Sequence, residues 1–67
     1  MMLNNYYEII GIIKQILSED QVVFTFNKII RLPVLTVREL EDHIGQRVSI
    51  LRLDNSYFIN YDENNNK

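Results

Sequence analysis

The side chains able to do chemistry are few and scattered. His43 is the single histidine in 67 residues, so the sequence holds no second imidazole to complete a metal site or relay a proton. It stands one helical turn after Glu39, in the last turn of an expected helix, where an imidazole interacts favourably with the helix dipole. Glu41 and Asp42 are adjacent, which on a helix sends them to different sides and not into a shared acid–base pair. Ser18, Ser49 and Ser56 have no histidine at a spacing that would activate one of them as a nucleophile. The lack of cysteine excludes thiolate zinc sites and cysteine nucleophiles. Gly11 and Gly45 lie too far apart for a phosphate loop, and Asp54-Asn55-Ser56, followed by no series of oxygen ligands, reads as a turn and not a calcium loop. The residues therefore predict no enzyme, no cofactor and no metal.

The elements that position these side chains are organised around residues 32–48, the one stretch with helix signals. Thr36 and Glu39 have the spacing of a capping box, which starts the helix at Val37, and Leu35 with Leu40 has the spacing of a hydrophobic staple. Val37, Leu40 and Ile44 share one stripe, with Arg38, Glu39, Glu41 and Asp42 turned elsewhere. Gly45 follows as a left-handed terminator.

Both flanks read as β. Residues 6–17 form a long first strand rich in isoleucine, with Gly11 marking a bulge or bend that lets one strand serve both halves of a barrel. Residues 18–21 are a polar turn, and residues 22–26 a second strand with Val22, Phe24 and Phe26 on one face. Asn27-Lys28 reads as a tight turn, followed by strands over residues 29–32, 47–53 and 57–61. In the fourth strand Val48 and Ile50 face one way, while Ser49, Leu51 and Leu53 face the other. The expectation is a flexible N-terminus over residues 1–5, one small β-barrel domain over 6–61 and a disordered tail over 62–67. Tyr6, Tyr7, Tyr57 and Tyr61 fall at the two ends of that domain, where they either close the sheet or form an exposed aromatic patch.

A net charge of −2 argues against gripping nucleic acid by bulk positive charge. The centre differs from the ends: between Val22 and Leu53, Lys28, Arg31, Arg38, Arg47 and Arg52 oppose only Glu39, Glu41 and Asp42. No apolar run approaches the ~20 residues of a membrane span, and the first residues lack the basic character of a signal peptide. A cytoplasmic protein with no membrane partner is the expectation. Apolar pairs such as Ile9-Ile10, Ile12-Ile13 and Ile29-Ile30 place hydrophobic side chains on both strand faces. Their outward halves are expected to form a continuous apolar patch that a protein partner or a second copy would cover.

The order of three strands, one helix and two strands resembles the oligonucleotide/oligosaccharide-binding (OB) barrel, with an SH3-like barrel as the alternative. Ile9-Ile10-Gly11-Ile12-Ile13 is similar to its bent first strand, and residues 45–50 to the strand after its helix. The resemblance implies a module for single-stranded RNA or DNA, with Phe24, Phe26, Lys28 and Arg31 on the binding face and Arg47 and Arg52 extending it. Phe24 and Phe26 have a simpler reading as core packing. Over residues 27–59 the chain also resembles the AbrB/MazE swapped-hairpin family, which implies a dimeric DNA-binding regulator.

Overall fold

The computed structural model describes residues 2–62. Its elements are β1 (Glu8–Ser18), β2 (Gln21–Phe24), β3 (Lys28–Arg31), α1 (Val34–Leu40), β4 (Arg47–Leu53) and β5 (Ser56–Tyr61), with short 3-10 turns at Thr25–Asn27 and Glu41–His43. The mainly β class and the order of three strands, a helix and two strands are as the sequence predicts. All pairings among the five strands are antiparallel, in the order β3-β2-β1-β4-β5. The ladder ends at β3 and β5, so among the described residues the sheet has two edges there and no strand pairing closes it into a barrel.

β1 works in two halves, as its central glycine suggests. Glu8 to Ile12 pairs with β4, whereas Ile13 to Ser18 pairs with β2 through two irregular steps in register. The change of partner happens beside Gly11. A Cβ there would stand 3.0 Å from Phe24 Cδ2 and 3.1 Å from Thr25 Oγ1, so a side chain would push the end of β2 back by a few tenths of an ångström and glycine lets it pack this closely. The Ile12 amide then donates to Thr25 Oγ1 at 2.7 Å, which pins the end of β2 to the middle of β1.

Alternation decides the core. Ile9 and Ile13 from β1, Val22 and Phe24 from β2, and Val48 and Ile50 from β4 are buried on one side, and Val37 and Leu40 of α1 pack against them. The outward halves of the isoleucine pairs do not form one continuous apolar patch. Ile10 lies opposite Ser49 and Ile12 opposite Arg47, so polar side chains interrupt it, while Ile29 lies beside Val23 on the other half of the sheet.

Three local expectations are corrected. The helix starts at Val34, not Val37: Pro33 stands at its N-cap in extended backbone, its carbonyl accepts from the Val37 amide at 3.0 Å, and Thr36 falls inside the first turn, with no side-chain cap bond formed. A proline there loses nothing, because the first amides of a helix have no partner within it. The helix also ends early, tightening into the 3-10 turn, so Ile44 leaves the stripe in extended backbone and is exposed. Gly45 does take the left-handed conformation, at φ +91°.

The second correction is at the N-terminus, expected to be loose. Leu3 is buried in the core, Met2 bridges in parallel to Arg31, and Asn5 exchanges two hydrogen bonds with Asp54. The third concerns Phe26. β2 ends at Phe24, and Phe26 with Asn27 forms the centre of a turn, at φ +64° and +58°, closed by the Lys28 amide donating to the Thr25 carbonyl. Phe26 therefore leaves the face it was expected to share with Val22 and Phe24. The tail expected over 62–67 lies, from residue 63 on, outside the described residues.

Candidate functional site

A groove of about 380 Å³ lies where the two halves of the sheet meet. Its floor is the middle of β1, including Ile10, Gly11 and Ile12; its walls are Thr25 and Phe26 on one side and Arg47 on the other, with Lys28 beside the turn. The local sequence explains the shape. Gly11 contributes no side chain, so Phe24 and Thr25 approach the floor closely, and the change of strand partner beside it leaves the concavity open.

Phe26 is 90 % exposed, the most exposed aromatic among the described residues. Its left-handed backbone carries a Cβ penalty of roughly 1–2 kcal/mol, which Asn27, the next residue, tolerates better. The turn thus lifts a phenyl ring away from the core that Phe24 enters. Lys28 and Arg47 are the ionisable side chains lining the groove. Arg47 also meets Asp62 at 3.7 Å, but both side chains are mostly exposed, so water screens the pair and leaves the guanidinium available. The neighbouring depression is lined by Glu8, Asp62 and Arg47 together, so carboxylates stand beside the groove's cations on that side.

Of the six residues that the resemblance assigned to a binding face, the structure brings Phe26, Lys28 and Arg47 to this groove. Phe24 reaches it only as a buried floor: at 1 % exposure it is core, and no base could stack on its face without unpacking it. Arg31 lies at the far end of β3, 3.8 Å from Asp20. Arg52 is committed to structure, donating to the Leu3 carbonyl at 2.8 Å and the Asp54 carbonyl at 2.9 Å, with its guanidinium 5.9 Å from the Tyr57 ring centre. Ile10, Ile12 and Thr25 join the site although the resemblance did not assign them to the binding face. The doubled isoleucines around Gly11 were the available signal, since one of each pair had to face outward.

A second cluster lies at the half-buried margin where α1 and the Glu41–His43 turn meet β5. The Tyr61 hydroxyl donates to Glu39 Oε2 at 3.0 Å, its ring stacks on His43 with centroids 4.2 Å apart, and His43 Nδ1 and Gln46 Oε1 share a 2.7 Å hydrogen bond. Burial, reinforced by the hydrogen bond to Glu39 and its charge, pushes the Tyr61 hydroxyl up to about 12. This cluster docks the helix and gives His43 a structural setting. Among the described residues no group of three or more His, Cys, Asp or Glu side chains is placed to hold a metal ion, and no helix is long and apolar enough to cross a membrane. Compared with known proteins, the chain matches no family model, no curated protein and no solved structure.

Proposed function

We propose that this chain is a small non-enzymatic module that binds single-stranded RNA or DNA along the groove between the Thr25–Asn27 turn and Arg47. Phe26 carries the reading. A phenyl ring held almost fully in water by a backbone conformation that costs free energy is poorly explained by stability and well suited to stacking under a base. Lys28 and Arg47 flank it and can contact the phosphates on either side, while Ile10 and Ile12 supply an apolar floor. With two cations in the groove and Glu8 and Asp62 beyond it, the footprint is short and the affinity modest. Arg31 and Arg52 take no part.

Titration of amide chemical shifts with short single strands of RNA and DNA at low salt tests the reading. Shifts should cluster at residues 10–12, 25–28 and 47. F26A should weaken binding by roughly 1–3 kcal/mol, the usual worth of one stacked base. Replacing Lys28 and Arg47 by alanine should flatten the salt dependence by about 0.7 in logarithmic slope for each phosphate that is no longer neutralised. Absence of any shift with every single strand would overturn the proposal, and a response to duplex DNA alone would move the assignment to the swapped-hairpin type of regulator.

A further inference from the structure

The two open edges of the sheet are unlike. β3 is guarded in the ways natural edges usually are: Lys28 and Arg31 stand at its ends, Arg31 faces Asp20, and Met2 bridges to Arg31 from the N-terminal segment. β5, with the sequence Ser-Tyr-Phe-Ile-Asn-Tyr, has no charge, proline or glycine. Four of its six residues, Tyr57, Phe58, Ile59 and Tyr61, are aromatic or β-branched, and an uncharged edge of this kind pairs readily with another strand.

The phase of the β4–β5 ladder shows which backbone groups are free. The two-residue turn Asp54-Asn55 joins Leu53 to Ser56, and the Asp62 amide donates to the Arg47 carbonyl at 3.0 Å. On the other side of β4, the Arg52 amide donates to the Tyr7 carbonyl, so Arg52 and its alternate neighbours turn toward β1. Ser56, Phe58 and Asn60 therefore direct their backbone groups to β4, and Tyr57, Ile59 and Tyr61 direct theirs to the open edge. Among the described residues, no backbone hydrogen bond outside the ladder reaches those three.

We propose that β5 pairs antiparallel with β5 of a second copy of this chain, about a two-fold axis at Ile59, to form one continuous ten-stranded sheet. A second copy fits this edge better than an arbitrary strand because the symmetric register is chemically matched. Ile59 meets the partner's Ile59, Tyr57 meets the partner's Tyr61 at both ends, and Phe58 lies beside the partner's Asn60, with no like charges opposed. Pairing a single strand of six residues buries less than the ~800 Å² per partner of a standard stable complex, so the dimer forms with rising concentration and dissociates on dilution. This pairing is independent of the groove and of any nucleic acid.

Sedimentation of the full chain over a wide concentration series tests it. The apparent mass should climb from one chain toward two. Phe58 and Asn60 are exposed, so F58K/N60K should keep the fold, yet it sets lysine opposite lysine across the axis and should hold the protein at the mass of one chain. F58K/N60E sets opposite charges together and should restore association. A single-chain mass at every concentration overturns the proposal, as does F58K/N60K associating like the unaltered chain; failure of F58K/N60E to restore association overturns the register. Should these variants not fold, hydrogen exchange on the unaltered chain decides. The Tyr57, Ile59 and Tyr61 amides should slow as concentration rises, and exchange independent of concentration overturns the pairing.

Discussion

The two ends of β4 put the same side chain to opposite uses. At one end Arg52 donates to the Leu3 and Asp54 carbonyls and lies over Tyr57, while Asn5 and Asp54 exchange hydrogen bonds beside it, so the N-terminal segment is tied to the β4–β5 turn. At the other end the Arg47 side chain makes, among the described residues, an exposed ion pair with Asp62, and it lines the groove. A guanidinium whose donors are used within the chain has little left for a ligand. One whose nearest partner is a screened surface carboxylate has its full fork available. Charge alone therefore does not mark a binding residue; what its donors already hold does.

Phe24 and Phe26 repeat the contrast two residues apart, and substitution there gives the largest expected difference. Phe24→Ala removes a core ring at 1 % exposure and should cost about 3–5 kcal/mol of stability in urea unfolding. Phe26→Ala should change stability by less than about 0.5 kcal/mol, because almost none of its ring is buried. Comparable losses at both positions would break the comparison. Arginine replacement comes next in size. Arg52→Ala leaves the partly buried Leu3 carbonyl short of its donor and should cost about 1–3 kcal/mol, whereas Arg47→Ala removes an exposed pair and should cost no more than about 0.5 kcal/mol.

These contrasts also explain what could be read from the sequence. β4 runs over residues 47–53 as expected, because strict alternation of Val48 and Ile50 with Ser49 and Leu51 admits one register. Gly11 announced the change of partner in β1 and Gly45 the left-handed turn, since few roles other than a special backbone suit an isolated glycine in those settings. Phe26 was misplaced because alternation was extended one step past the end of β2, and no glycine announced the turn. The helix began early because a proline start outweighed a capping box that could form only later. The role of Arg52 depends on Leu3 and Asp54, and the hydrogen bond to Leu3 spans 49 residues, a partnership no local pattern encodes. The groove itself needed the fold, since Phe26, Lys28 and Arg47 meet only when β1 joins both halves of the sheet.

Beside the Arg47 end of β4, Tyr61 holds β5 to the helix, and pH can probe that hold. Tyr61 is neutral in the fold up to about 12, against an ordinary value of 10.0. Its folded form binds the proton more tightly than the unfolded form, so this contribution is complete below pH 10 and is lost as the pH rises toward 12. Urea midpoints measured across that window should fall, and Tyr61→Phe should flatten the decline. An equal decline in the phenylalanine variant would place the sensitivity elsewhere.

A substitution at Phe26 that changes the backbone preference is the most discriminating, because its sign is opposite for stability and binding. Phe26 occupies a left-handed position at 90 % exposure, so the fold loses free energy there and gains no buried area in return. Asparagine tolerates that backbone through its short polar side chain. Phe26→Asn should therefore raise stability by about 1 kcal/mol while abolishing the stacking surface, so that single-strand binding falls as the midpoint in urea rises. A stabilised variant that binds as well as the unaltered chain would detach Phe26 from ligand recognition. A destabilised one would mean that the ring supports the turn, and Arg47 and Lys28 would then stand alone as the distinguishing feature of the groove.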